Sequence, residues 1–200
     1  MTRKILSLLL SILLLTTAAG CSRSGEAVLG EVFYSFTDDT GREVTLPERP
    51  ETVAVLFSSF AEVWTLAGGE VAVTVGESVE RGFADADAVL VDDGAGKTIN
   101  MELLLQAQPD FVICSADIEA QMKAAELLCA AAVPVACFRV ETFADYLRML
   151  RVCTEITGDA AAYETHGAAV AARIETLLAD AGEGAADILF IRAGSSASAT

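Results

Sequence analysis

Histidine is nearly missing from this chain: His166 is the single one in 200 residues. A metal centre built from several imidazoles therefore cannot be assembled from this chain alone. Basic residues are also sparse, with 13 Lys and Arg against 29 Asp and Glu and a formal charge of −16. That balance argues against nucleic acid and against an anionic membrane surface as partners, because both select basic patches. The G-x-S-x-G elbow of serine hydrolases does not occur. Gly96-Lys97-Thr98 has the end of a phosphate-binding loop, but Val91 stands where the loop needs its first glycine. It reads as a surface loop entering a helix at Asn100. There are no internal repeats and no blocks of like charge. Apolar residues, by contrast, make up 53% of the chain, enough for a buried core.

The N-terminus has its own organisation. Arg3 and Lys4 precede an apolar run from Ile5 to Leu15, and small residues lead to Ala18-Ala19-Gly20-Cys21. A charged start, a short apolar stretch and a small-residue cleavage site make a secretory signal rather than a membrane span, which takes about 20 residues. A cysteine directly after Ala-Gly resembles the site of bacterial lipoprotein processing, although Ala18 stands where a leucine is usual. The resemblance implies a diacylglycerol thioether on Cys21 after removal of residues 1–20. The alternative is an ordinary secreted chain in which Cys21 is incidental. Residues 21–30 are small and polar, as in a flexible tether. Loss of Arg3 and Lys4 takes the formal charge from −16 to −18.

Beyond the tether, strand and helix signals alternate. Val32–Phe36 and Glu43–Leu46 flank Asp38-Asp39-Thr40-Gly41, a hairpin signal. Thr52–Phe57 is apolar on both faces and predicts a buried strand, followed by a Ser58-Ser59 loop and a helix over Phe60–Ala67 that stops at Gly68-Gly69. Val71–Val75 and Ala88–Val91 predict short strands. Asn100 caps a short helix, and Asp110–Cys114 and Val133–Phe138 are strands on either side of a helix over Ile118–Ala131. Thr142–Thr157 is a helix stopped by Gly158. Strands separated by helices predict an α/β fold, a parallel sheet covered on both faces. Asp159 caps a longer helix in which Tyr163, Gly167, Val170, Ile174, Leu177 and Ala181 share one stripe. Asp187–Ile191 begins another buried strand.

Few residues carry an obvious chemistry. Cys114, Cys129, Cys137 and Cys153 sit in apolar stretches without C-x-x-C spacing and read as small buried hydrophobes. A disulfide between two of them is open to an exported protein, but the sequence does not choose the pair. Ser58 and Ser59 follow a strand and precede a helix, a position suited to ligand contact in an open parallel sheet. Glu102, in the first turn after Asn100, suits the helix dipole. Arg81, Lys97, Arg139 and Arg192 are candidate anion contacts.

Three segments together carry a resemblance. Asp39-Thr-Gly-Arg-Glu-Val44 with Leu46-Pro47 resembles the opening hairpin of the iron-siderophore and cobalamin periplasmic-binding-protein family of ABC importers. Phe57-Ser-Ser-Phe-Ala-Glu-Val-Trp-Thr-Leu-Ala-Gly68 looks like its first strand-loop-helix. Asn100-Met-Glu-Leu-Leu-Leu-Gln-Ala-Gln-Pro-Asp-Phe-Val-Ile113 is similar to its N-x-E segment leading into a P-D strand. The resemblance covers most of Phe36 to Arg192.

It implies two lobes joined by a long helix, with the ligand in the cleft between them. Residues 31–141 would form the N-terminal lobe as a three-layer parallel-sheet unit with an N-terminal hairpin. Residues 142–184 would be lobe-closing and connecting helices, and residues 185–200 the start of an incomplete second lobe. It implies that Ser58, Ser59, Phe60, Arg81, Ser115 and Asp117 line the cleft, that Arg192 faces them, and that Glu102 pairs with arginines of the permease. The partners implied are an ABC permease with its ATPase, a ferric siderophore, haem or corrinoid, and the membrane through the lipid; no cofactor is implied. Localisation would be extracytoplasmic, on the cell membrane. A lipid-anchored serine hydrolase and a sensory lipoprotein that keeps the binding fold are the alternatives. Lipidation is directly measurable: the N-terminal peptide beginning at Cys21 should carry a lipid mass, and Cys21→Ala should release soluble protein or leave an unprocessed precursor.

Overall fold

The computed structural model describes residues 32–92 and 98–180. The signal, Cys21 and its tether, Lys97, Ala181, the strand expected over Asp187–Ile191 and Arg192 lie outside the described residues.

The fold opens with a two-stranded antiparallel hairpin, β1 (Tyr34–Thr37) and β2 (Glu43–Leu46), in which Tyr34 lies opposite Leu46 and Thr37 opposite Glu43. Its turn is organised by Asp38, whose carboxylate accepts the backbone N–H groups of Thr40 at 2.9 Å and Arg42 at 3.0 Å. Gly41 supplies the left-handed conformation the turn needs, at φ +83°. The same carboxylate also accepts the backbone N–H of Cys137 at 3.1 Å and the Arg42 guanidinium at 3.1 Å. The Asp39 N–H donates to the Cys137 carbonyl, and the Asp39 carboxylate accepts the Arg139 N–H at 2.7 Å. One short loop thereby fastens the hairpin to the last strand of the sheet.

Among the described residues, that sheet has five parallel strands: β3 (Val53–Val55), β4 (Val73–Thr74), β5 (Val89–Leu90), β6 (Phe111–Ser115) and β7 (Val135–Phe138), in the order β5-β4-β3-β6-β7. Alternate residues of β3 and its extension feed two cores. Val53 and Val55 join Phe60, Trp64, Phe111, Met149, Leu150 and Ile156 on one face. Ala54 and Leu56 join Leu104, Val112, Ala125 and Leu128 on the other. Burial on both faces is why these strands read as continuous apolar runs. Asp110, of the Pro-Asp pair, accepts the N–H groups of Glu51 and Thr52 and so holds the start of β3 beside β6.

Among the described residues, five helices cover the sheet: α1 (Ser58–Leu66), α2 (Gly76–Glu80), α3 (Met101–Gln106), α4 (Glu119–Ala130) and α5 (Phe143–Thr157). Asn100 caps α3 through its side chain, Thr142 and Asp145 form a reciprocal capping box on α5, and Gly158 ends α5 at φ +79°. Strand ends differ from the expected ones by one or two residues, and two helical features differ in kind. Helix α1 begins at Ser58, so Ser58 and Ser59 occupy its first turn rather than a loop. Helix α2 was not expected, because one and a half turns of Gly-Glu-Ser-Val-Glu carry no apolar period.

Asp159 caps the final helix by accepting the Ala162 N–H at 3.0 Å. That helix runs as α6 (Ala160–Tyr163), one wide π turn (Glu164–Ala168) and α7 (Ala169–Asp180). Gly167 is buried where it meets Leu147 and Leu150 of α5, but α7 buries none of its residues. The expected stripe therefore divides: Tyr163 and Gly167 pack inward, while Val170, Ile174 and Leu177 are exposed. Among the described residues, no helix is long and apolar enough to cross a membrane.

Burial works against the Asp38 charge, but hydrogen bonds from Thr40, Cys137 and Arg42 outweigh it and hold its pKa below the ordinary 3.8. A depressed folded-state pKa gives stability that is complete above the unfolded value and is lost as pH falls through the folded one. Asp38→Ala should lower unfolding stability by about 3 kcal/mol at neutral pH. In urea titrations, the gap between variant and wild type should narrow as pH drops below the ordinary aspartate range.

Candidate functional site

The chain leaves β3 through α1 toward β4 but leaves β6 through α4 toward β7. Right-handed crossovers that run in opposite directions put α1 and α4 on opposite faces of the sheet. Their loops diverge above the carboxyl ends of β3 and β6, which opens a crevice at the point where open parallel sheets hold ligands. Phe57–Ser59 forms one lip, and Ala116–Ile118 forms the other.

Gln121 closes the floor of this crevice. Its side chain is buried, with 1% of the residue exposed. The amide nitrogen donates to the Leu56 carbonyl at 2.7 Å, and the amide oxygen accepts the Ser115 N–H at 2.7 Å. A single side chain thus satisfies one backbone group from each of the two central strands where their pairing ends.

The expected cleft residues divide into three groups. Ser58 is buried, and its Oγ accepts Arg81 Nη1 at 3.3 Å. Arg81 also reaches Glu77 at 3.5 Å and lies over the Phe83 ring, 4.7 Å from its centroid. Ser59 and Phe60 instead line an open groove of about 540 Å³ between α1 and the start of α5, with Phe57, Val63, Leu66, Val140 and Tyr146 on its walls and Glu62 as its charged member. Phe60 packs edge-on to Phe57 and to Phe138. On the second lip, Ser115 is buried and its Oγ accepts the Asp117 N–H, while Asp117 pairs with Arg139 at 2.7 Å in the open.

Two further features bear on chemistry. Phe57 caps α1 in an extended conformation without a side-chain bond, and Phe60 makes the first backbone bond of the helix. The N–H groups of Ser58 and Ser59 therefore stand at the positive end of that helix, aligned with its dipole. Tyr146 donates to the His166 carbonyl at 2.9 Å; burial first, and the Glu62 charge second, raise its pKa. No imidazole hydrogen-bonds to Ser58 or Ser59 among the described residues, and the one cation on Ser58 is a guanidinium, which cannot act as a base. Among the described residues, no three His, Cys, Asp or Glu side chains are grouped to hold a metal ion.

Glu102 stands apart from these groups, exposed in the first turn of α3, where the Asn100 side chain accepts its N–H at 3.1 Å. Its carboxylate makes no hydrogen bond or ion pair within the described residues, and the exposed side chains of Leu103 and Leu105 lie near it in sequence. The sequence reading missed Gln121 and Tyr146. A glutamine in a helix reads as a surface residue, and only the pairing of β3 with β6 shows that this one spans two strands.

An α/β ligand-binding lobe of this design, with an opening hairpin and a crevice at the sheet's reversal, defines the class. A profile of the family described as periplasmic binding protein matches residues 53–199, and the chain belongs to that family. No curated protein matches the sequence significantly. Among solved structures, the siderophore-binding protein BauB, bound to ferric iron and two molecules of acinetobactin, is similar over 76% of this chain and 55% of its own, with TM-score 0.59 and 13% identity. The iron-uptake substrate-binding protein PiuA from Streptococcus pneumoniae is similar over 76% of this chain and 54% of its own, with TM-score 0.62 and 12% identity. The haem-binding protein HmuT is similar over 66% and 42%, with TM-score 0.52 and 20% identity. At these identities the likeness shows the fold, and the chain spans about half the length of these proteins.

The floor of the crevice offers a direct test. Gln121→Met keeps the length of the side chain but leaves the Leu56 carbonyl and the Ser115 N–H unpaired. The substitution should cost about 3 kcal/mol of stability in chemical denaturation, more than a surface glutamine would.

Proposed function

We propose that this protein captures an iron chelate, haem or a corrinoid outside the cytoplasm and hands it to an ABC permease driven by its ATPase. The observation that carries the reading is the crevice at the β3–β6 reversal, beside a groove of about 540 Å³ that is mostly apolar with few polar groups. That size and chemistry suit a bulky organic ligand. BauB and HmuT, which share the fold, bind a ferric siderophore and haem. Iron would arrive already chelated, so its capture does not rest on histidine ligands.

In this reading Ser59 and Phe60 contact the ligand, Arg81 and the α1 N-terminus favour its anionic groups, and Ser58 positions Arg81. Ser115 shapes the second lip, Asp117 with Arg139 borders it, and Arg192 faces them from beyond the described residues. The described α/β unit acts as one lobe of two, and the helix from Ala160 joins it to the other. Cys21 carries the lipid that keeps the chain at the membrane face, and Glu102 docks on permease arginines. The protein transforms nothing chemically. The hydrolase alternative is disfavoured by the Arg81 contact, which occupies the Ser58 hydroxyl without activating it. A sensory lipoprotein would bind the same ligands but feed no transporter.

Binding and delivery separate these readings. The 200-residue chain should bind at least one of a panel of ferric siderophores, haem and cobalamin, followed by absorbance or tryptophan fluorescence. Glu102→Arg should leave that affinity unchanged and abolish uptake, because like charges opposed at an interface cost several kcal/mol. Weakened binding with normal uptake would put Glu102 in the ligand site, and wild-type binding without uptake would favour the sensor.

A further inference from the structure

Three of the four described cysteines gather at the seam between the hairpin and the sheet, although they are scattered in sequence. Cys114 and Cys137 stand opposite each other across β6 and β7 in matching register. Arg42, from the hairpin, reaches the same place with both terminal nitrogens. Its Nη2 donates to Cys137 Sγ at 2.9 Å and its Nη1 to Cys129 Sγ at 3.3 Å. Cys129, at the end of α4, is the only exposed cysteine among the described residues. The fourth, Cys153, is buried in the core of the opposite face, where desolvation pushes its thiol up to about 12.

The three clustered thiols are not equivalent. The neighbouring Cys114 thiol, together with the Arg42 charge, holds Cys137 below the ordinary thiol value despite burial and the nearby Asp38 carboxylate. The thiol of Cys114 is pushed well above it by the neighbouring Cys137 and by its own burial. Thiolate character thus concentrates on Cys137, Cys114 keeps its proton, and solvent reaches the cluster at Cys129.

We propose that Cys129 and Cys137 form a reversible redox pair, in which exposed Cys129 takes the first hit from a small-molecule disulfide and buried Cys137 closes the protein disulfide. In the first step the Cys129 thiolate attacks one sulfur of the oxidant; a mixed disulfide forms and one thiolate of the oxidant leaves. In the second, the Cys137 thiolate attacks the Cys129 sulfur, and the second thiolate leaves. The pair loses two electrons and two protons, the oxidant is reduced to two thiols, and nothing else is consumed. The guanidinium lies against both sulfurs and withdraws as they join. The Arg42 side chain is 33% exposed, and Asp38 remains to hold it.

Cys114 is the cross-strand neighbour of Cys137 but is a poor competitor. It is fully buried and stays protonated, so an oxidant cannot load it first. The site lies on the α4 face of the sheet, across from the face that carries the proposed ligand groove, and it stands whether or not that function holds.

Peptide mapping distinguishes the possible bridges, because Lys123 and Arg139 bound a tryptic peptide, residues 124–139, that contains both Cys129 and Cys137, whereas Cys114 lies in the preceding one. The reduced 200-residue chain is treated with oxidised glutathione, blocked with iodoacetamide and digested without reductant. Peptide 124–139 should be recovered two hydrogens lighter and unlabelled, and dithiothreitol should restore labelling at both cysteines. Cys137→Ser, checked for folding by circular dichroism, should instead retain glutathione on Cys129. A bridge joining the Cys114 peptide to 124–139, a persistent glutathione adduct on wild-type Cys129, or unchanged labelling at both cysteines would each overturn the proposal.

Discussion

The handedness of strand-helix-strand crossovers is the constraint on which the rest of this molecule depends. With β3 at the centre, the chain builds outward to β4 and β5 on one side and then returns to lay β6 and β7 on the other. Since each crossover must be right-handed, the change of direction moves the helices from one face to the other. Two things follow without any specialised residue: both faces of the sheet are covered, and the loops after β3 and β6 must part. A gap at the carboxyl ends of the central strands is the geometric cost of covering both faces. Gln121 answers that cost by bonding to the backbone on both sides of the gap, so the opening is shallow and firm rather than a breach in the core.

A chain so poor in cations places them with economy. Arg42 ties the hairpin turn to β7, and Arg148 joins α5 to Asp39 of the same turn at 2.9 Å. Arg49 donates to the Thr157 carbonyl at the end of α5 and lies over the Phe33 ring. Arg81 bridges α2 and the first turn of α1, and Arg151 stacks on Tyr163, 4.2 Å from its ring centroid. Each sits at a junction between elements, where a planar group with several donors can satisfy partners from two directions. Most of these pairs are exposed and contribute little to stability individually. Their effect is on geometry, fixing how the hairpin, α5 and the final helix meet the sheet. Asp38 is the exception, because its carboxylate is fully enclosed and joins the N–H groups of its own turn to the Cys137 N–H of β7.

Much of this architecture was legible in the sequence because it rests on local signals. Thr52–Phe57 and Asp110–Cys114 had to be central strands, since no amphipathic alternation could produce such runs. Asn100, Thr142, Asp159 and Gly158 mark helix ends through backbone chemistry that acts within a few residues. The hairpin was equally visible in Asp38 to Gly41. What escaped was non-local. The sequence placed Ser58 and Ser59 in a loop, because the helix start at Phe57 lacks a side-chain cap and leaves no mark. The four cysteines looked alike as small hydrophobes, and the difference among Cys114, Cys129 and Cys137 arises from an arginine about 70 to 95 residues away in the chain. Of the candidate cleft residues, the pattern put the serines just beyond or at the carboxyl ends of β3 and β6 but could not tell that Ser58 faces Arg81 while Ser59 faces the groove.

The π turn at Glu164–Ala168 changes how the final helix should be read. A π turn accommodates one residue more than the α-helix would, and an α-helix advances by about 100° per residue. Everything after Ala168 is therefore rotated by roughly a quarter turn or more relative to the face that begins at Tyr163. The stripe that looks continuous when plotted at 3.6 residues per turn belongs, in space, to two surfaces. The first surface is spent on α5, where Gly167 leaves room for the Leu147 and Leu150 side chains; the second presents Val170, Ile174 and Leu177 elsewhere. One inserted residue thus sets the angle between the face that packs on α5 and the apolar face that α7 leaves exposed.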